Sequence, residues 1–449
     1  RLQSCSPVIN AGSSGLVAPG VTTDMDINPR IILTDVDMGA YEFQSEKQSF
    51  WKGINFHWND PQNWCGNVVP TAGTNVLIPN TVSIFPVIED AREVNKIKLE
   101  SGTSLTLTSA GQITINNTYT NSGSNITNNG TWIMAGSAAS QTFPGTSATV
   151  SAMNNLEINN ASGISFDKSF SITGSLIPTA GNINVNNNIA VTLKSSATAT
   201  ASVDVIQPAA SISYTGTGAF IAERFINTGI GTGQHAKSWQ FLSTPTTGQT
   251  IFQSWQENGT APAGFGTWIT GTGSGFDVTT AAPSLKYFNE AGVNWTAVTN
   301  TGNALVNKLG YMLFVRGDRT VTTYNGTPNN TIMRSKGQLF SPTNTAPSVA
   351  VTANKFQSFG NPYASRIEFN KVFTASTGIN DVFYVWDPKL PGTYNLGGYQ
   401  TITGAAFYIP TVGVPPTGNP ATDYYPAGVA APYIESGQAF FVKCRTSPG

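Results

Sequence analysis

The chain has 449 residues, of which only 10% are charged, and a formal net charge of −1. An ordinary globular domain carries about 25% charged residues, so solubility here rests on hydroxyls and amides, a habit of secreted and cell-surface β proteins that argues against a cytoplasmic enzyme. The balanced charge excludes a basic face for nucleic acid and a polybasic membrane segment, while 39% hydrophobic and 10% aromatic residues exclude a wholly disordered chain.

The 45 glycines and 26 prolines suit the many turns of an all-β protein with short strands. No apolar run reaches the roughly 18 residues of a membrane-spanning helix. The chain begins at Arg1 with no signal-peptide pattern, so the expectation is a segment of a longer, processed polypeptide. Cys5, Cys65 and Cys444 lie far apart without metal-ligand spacing. Two readings stay open for them: buried free thiols, or a Cys5–Cys65 disulfide in an oxidising compartment.

Residues 1–44 carry SPVINAGSSG, DMDINPRI and VDMGAYEF. These phrases resemble the last coils of the parallel β-helix of many secreted bacterial proteins, and the residues themselves agree: Gly12, Gly15 and Gly39 permit tight turns, and Ile31, Ile32 and Val36 are expected to feed an apolar stack. Asn28 stands before Pro29 and Arg30 where that family has a Gly two positions earlier, a departure confined to a turn. Four carboxylates crowd this segment: Asp24, Asp26, Asp35 and Asp37. They are candidates for calcium ligation, although their spacing matches no EF-hand loop. The competing expectation is that they tie down turn backbone and pair with Arg30.

Residues 45–50 form a polar joint, after which WKGINFHWNDPQNWCGNVVP opens a new unit. This opening resembles the Trp-rich start of solenoid-like repeats in large Bacteroidetes surface proteins. Trp51, Trp58 and Trp64 have helix-like spacing, but Asp60-Pro61 and the glycines forbid a long helix. The three rings are expected to cap the following stack, since a solenoid's end coil needs shielding. Tryptophans also stack on pyranose rings, so these three are the candidate carbohydrate contacts. His57, between them, has no partner in motif spacing and is read as structural.

From Pro79 to Phe220, apolar residues two apart alternate with Asn, Thr, Ser and Gly. Leu105 with Leu107, Ile113 with Ile115, Leu156 with Ile158, Ile164 with Phe166, Phe170 with Ile172, Ile183 with Val185, and Val203 with Val205 each point to one face of a strand. The spacing predicts a β-solenoid with about 20 to 25 residues per rung and about five to six rungs. Asn116-Asn117 and Asn186-Asn187-Asn188 suit left-handed turns and amide ladders between rungs.

Near Ala222 the texture becomes richer in Trp, Phe and Tyr. The phrases FGNPYASRIEF, FYVWDP and IESGQAFFVK resemble a module near the C-terminal end of Bacteroidetes surface proteins exported by type IX secretion. That resemblance implies export and display, and carries no catalytic residue. Strands are expected over Tyr311–Val315, Phe383–Trp386 and Ala439–Val442, in a β-sandwich or jelly-roll-like module. The division predicted is 1–44, the end of a parallel β-helix; 51–221, the Trp-capped solenoid; and 222–449, the sandwich-like module.

Chemistry-bearing residues are few. Arg316-Gly317-Asp318 spells an integrin tripeptide but follows an apolar strand directly, as a strand-end turn does. Only His57 and His235 are available as imidazoles, and no Ser lies in a nucleophile elbow. Glu435 and Asp387 are the carboxylates to weigh as a glycosidase pair. The expected function is a non-enzymatic, extracellular structural or adhesive segment, without a cofactor other than calcium at the carboxylates above. Its expected partners are further copies of itself, neighbouring surface proteins or glycans. The alternatives are a carbohydrate-binding module, or the inactive end of a β-helix lyase.

Overall fold

The computed structural model describes residues 2, 6–32, 35–137, 139–144, 152–231, 234–341, 349–390, 396–403, 408–409 and 433–445. The fold is nearly all β, with 42% strand and 6% helix. Two compact units result, one of residues 1–191 and 203–217, the other of residues 192–202 and 218–449.

Described residues before Ser49 form turns, a 3-10 turn at Ser14–Leu16 and isolated bridges. Ile9 and Val36 are buried there, whereas Ile31 faces solvent and so does not join them. Gly12 passes so close to the next segment that an added Cβ would lie 2.8 Å from the Val36 carbonyl oxygen.

From Ser49 the first unit becomes a parallel β-solenoid of about 5 turns. The chain visits three ladders in rotation. The first joins Ser49–Phe50, Asn75–Ile78, Lys96–Leu99 and Tyr119–Asn121. The second joins Val87–Ile88, Ser104–Leu107 and Asn125–Asn128. The third joins Ala91–Val94, Gln112–Ile115, Thr131–Gly136, Asn155–Asn160 and the start of Ser175–Val185. A further ladder joins Gln141–Phe143, Ile164–Phe166, the end of Ser175–Val185 and Ala210–Tyr214. Val76 pairs with Ile97 and Ile97 with Tyr119, steps of 21 and 22 residues that fall within the expected rung.

Period-two patterning explains the interior. Leu105, Leu107, Ile113, Ile115, Leu156, Ile158, Ile183 and Val185 are all fully buried, each contributing on the order of 1.5–3 kcal/mol. Aromatic rings stack through the same core: Tyr119 lies 5.1 Å from Trp132 and 5.6 Å from Phe143, and Phe166 lies 5.0 Å from Phe170. Val205 departs from the pattern at 77% exposure, because its strand ends at Val203 and the chain turns outward through Asp204.

The second unit stacks three antiparallel sheets. Ala219–Ile226 pairs with Thr331–Leu339, which also takes Thr246–Thr247. The middle sheet runs Ser238–Leu242, Tyr311–Val315, Leu285–Asn289, Asn294–Ala297. The third runs Phe356–Gly360, Ala439–Cys444, Ile379–Asp387, Gly398–Thr403, Tyr408–Ile409. Neighbouring residues of the middle sheet serve opposite cores: Leu242 and Leu313 pack with Ile226 and Met333, while Phe241 and Met312 pack with Ala439 and Phe441. This explains why all five residues of Tyr311–Val315 are buried. Phe440 and Val442, on the far face, pack on Phe369 of the short helix Phe369–Thr374.

Candidate functional site

The acidic residues of the first segment act as turn clamps. Asp24 Oδ1 accepts from the backbone N–H groups of Asp26 at 2.8 Å and Asn28 at 2.9 Å, and its Oδ2 accepts from that of Glu42 at 3.0 Å. These amides, Glu42 N–H foremost, hold the Asp24 carboxyl below its ordinary value of 3.8. Asp37 accepts from Asn10 N–H and Phe43 N–H, each at 2.6 Å. Asp35 meets Ser14 Oγ at 3.5 Å. Arg30 pairs with Glu42 at 3.2 Å instead of with an Asp. Among the described residues no group of three or more His, Cys, Asp or Glu is placed to hold a metal ion. The calcium reading of Asp24, Asp26, Asp35 and Asp37 therefore gives way to a structural one, since carboxylate oxygens of Asp24 and Asp37 already satisfy amide donors.

The sugar-platform reading of Trp51, Trp58 and Trp64 is likewise corrected. All three rings are buried, at 0–1% exposure, and pack edge to face with each other, Trp64 lying 5.0 Å from Trp51 and 4.6 Å from Trp58. No ring face remains for a pyranose. Trp51 Nε1 donates to Ile84 O at 2.7 Å, and Trp64 Nε1 to Trp58 O at 2.6 Å. Asp60 caps the 3-10 turn Pro61–Asn63 that sets their spacing. His57 gains a partner that its sequence neighbourhood does not show, Glu89 at 3.0 Å, both side chains being about half exposed. Cys65 is disulfide-bonded, so it is not a free thiol; Cys5 lies outside the described residues, and Cys444 is a buried free thiol.

The solenoid surface carries polar ladders of the expected kind. Asn95 Nδ2 donates to Asn75 Oδ1 at 2.8 Å, one rung away. Further along, Asn182 donates to Ser213 Oγ at 2.8 Å and accepts from Ser211 Oγ at 3.0 Å. One ladder is internal: Asn160 Nδ2 donates to Gln141 Oε1 at 2.9 Å, and Gln141 Nε2 to Asn117 O at 2.6 Å. Asn188 adopts the left-handed conformation, with φ 63°.

In the second unit the fold brings Asp387 near His235 and Ser238, which lie three residues apart on the chain. Ser238 Oγ lies 3.1 Å from His235 Nδ1, and Asp387 is within electrostatic reach of the ring. The geometry is not that of a triad. His235 Nδ1 also lies 2.8 Å from Ala236 O, a pure acceptor, so the hydrogen-bond network assigns the proton to Nδ1. Nε2 then faces the Gln240 amide at 3.4 Å, and no lone pair is free to take the Ser238 proton. Burial lowers the His235 pKa and raises that of Asp387, which keeps both groups neutral more readily than in water.

The RGD tripeptide is structural. Asp318 is 3% exposed, its Oδ2 accepting from Gly264 N–H at 2.6 Å and its Oδ1 from Thr320 N–H at 2.9 Å. Arg316 donates to Trp268 O at 3.0 Å. Beside them Arg319, 1% exposed, grips Asp277 with two bonds of 2.8 Å. Asp387 and Glu435 occupy different surroundings, the first buried near His235, the second exposed near Arg224. Arg224 itself, which lines a cleft with Arg334 and Ser436, has no motif around it, and only the apolar flank AERFI marks its place. Comparisons with protein-family models, with curated proteins and with solved structures find no match to this chain.

Proposed function

We propose that the chain is a non-enzymatic structural segment of a large, surface-displayed protein, in which the solenoid serves as a stiff spacer and the sheet-rich module as a contact or assembly unit. The observation that supports this most directly is the continuous parallel stack. Its interior is filled by aliphatic and aromatic side chains, and its rungs are cross-linked outside by Asn, Ser and Thr. A stack of this kind resists extension through many equivalent backbone bonds, each turn depending mainly on its neighbours.

Extracellular placement is consistent with the scarcity of charge and with the disulfide at Cys65. Export by type IX secretion belongs to the same proposal and rests on the phrase resemblances alone. A contact role has its own support: among the described residues, seven of the nineteen exposed large hydrophobics lie within residues 16–41, Leu16, Met25 and Ile27 being the most open of these. Surface that costs hydration free energy marks places where another macromolecule is held.

Single-molecule stretching of the full chain tests the spacer role. Extension should proceed in steps, a turn of about 21 residues releasing at most ~75 Å of contour. Yielding without a resolved force peak would remove the mechanical reading. A glycan array run on the same material separates the adhesive variants, since saturable glycan signals would favour a carbohydrate partner over self-assembly.

A further inference from the structure

We propose that the cleft around Arg224 in the second unit is a binding site for a single carboxylate group. Arg224 lies on the strand Ala219–Ile226, opposite the turn at Ser436-Gly437. Its Nη1 donates to Ser436 O at 3.2 Å, while its buried Nε has no partner among the described residues. Burial pulls its pKa below the usual arginine range, and Glu435 opposes that shift only in part.

The other charges lining the cleft are already matched. Arg334 makes a two-pronged contact with Glu257 and stacks on the Phe265 ring at 3.9 Å. Glu223 holds Lys194 at 2.8 Å and accepts from Ser195 N–H at 3.1 Å. The serine hydroxyls are engaged too, Ser243 with Asn361 O and Ser436 with Tyr363 O. The guanidinium of Arg224 is thus the charge left over. The acid nearest to it in effect is Glu435, which is exposed and forms no ion pair with it among the described residues.

Lining and charge choose the ligand. The cleft opens to solvent, and a single unmatched guanidinium edge calls for a singly charged planar acceptor, as Arg319 takes Asp277 and Arg334 takes Glu257 in the same unit. Leu242, Trp255 and Met333 add apolar wall, so the carboxylate is one borne on a carbon stem. A free short-chain acid and the carboxylate of a peptide share this chemistry.

The test is thermal shift and calorimetric titration of the whole chain with sodium acetate against sodium chloride at equal ionic strength, with inorganic phosphate as the control for a more highly charged anion. Acetate should raise the melting temperature saturably beyond chloride, and Arg224→Gln should abolish the difference. Where Arg224→Gln fails to fold, Arg224→Lys keeps the charge without the Nε donor and should weaken acetate binding about tenfold. Glu435→Gln removes the competing carboxylate and should tighten binding about threefold. Replacing acetate by an acetylated dipeptide with a free C-terminus separates the two sources, tighter binding pointing to a peptide end and weaker binding to a free acid. The proposal is overturned by equal shifts in acetate and chloride, by phosphate binding as well as acetate, or by an unchanged response in Arg224→Gln. It is also overturned by Glu435→Gln lowering stability without tightening acetate, which would make Glu435 the natural occupant.

Discussion

At the scale of single residues, two buried groups in the second unit set opposite pH dependences. Asp387 is 5% exposed; its Oδ1 accepts from Lys389 N–H at 2.8 Å, its side chain lies beside that of Gln400, and its Oδ2 has no well-formed hydrogen bond among the described residues. The neighbouring Gln400 Oε1 is also buried and unmatched. Burial raises the Asp387 pKa above 3.8, so the folded state holds its proton more tightly than the unfolded chain and stability falls as pH rises through that raised value. His235 works the other way: burial lowers its pKa below 6.5, so the stability it confers is present above 6.5 and is lost as pH falls through the folded value. Asp387→Asn retains an acceptor for Lys389 N–H and supplies a donor beside Gln400. It should stabilise the protein at pH 7 by about 1–2 kcal/mol, the scale of a rescued buried polar group. It should also flatten the alkaline side of the profile and leave the loss on the acid side, which chemical denaturation across pH 4–8 would read out. A variant less stable than the parent at pH 7 would show that the charged form is the one the fold accommodates.

At the scale of elements, close stacking of turns constrains the solenoid alongside side-chain burial. An added Cβ at Gly130 would lie 1.9 Å from the Gly111 carbonyl oxygen, and one at Gly111 would lie 2.1 Å from that of Ile88. These turns can stay 4.8 Å apart, the strand spacing of a sheet, only without side chains there. Gly130→Ala should therefore cost about 1–3 kcal/mol through backbone displacement, seen as a lower urea midpoint. An alanine at exposed Gly73, where nothing lies within 4 Å, should be neutral. Much of this architecture was legible in the sequence because inward positions repeat with period two within each strand, as in Leu105 with Leu107 or Ile113 with Ile115. Val205 was misread because a pair of valines carries no mark of where a strand stops. The sheet order of the second unit was not legible, since Ala219–Ile226 pairs with residues more than a hundred positions away. The spacing of the three tryptophans did not show their burial, which depends on a contact with Ile84 and on their packing against one another. Arg224 escaped notice because an Nε left unmatched among the described residues is a property of the folded surroundings alone.

At the scale of the whole molecule, the chain passes between its two compact units three times, at residues 191/192, 202/203 and 217/218. Each unit nevertheless has its own core. Phe166, fully buried, packs among Phe143 and Phe170 in the solenoid; Phe383, also fully buried, packs against Phe369 at 4.0 Å in the sheet-rich unit. Truncating either ring to alanine removes about 3–5 kcal/mol from the core that holds it. If the units unfold independently, calorimetry of the intact chain resolves two transitions, Phe166→Ala lowering one and Phe383→Ala the other. The two effects should then add in the double variant, because the residues share no neighbour in either core. A single transition lowered by both substitutions would instead show that the repeated crossings fuse the units into one cooperative body. That outcome changes the mechanical expectation as well: a spacer fused to its module yields all at once, whereas an independent solenoid gives way turn by turn while the module remains folded.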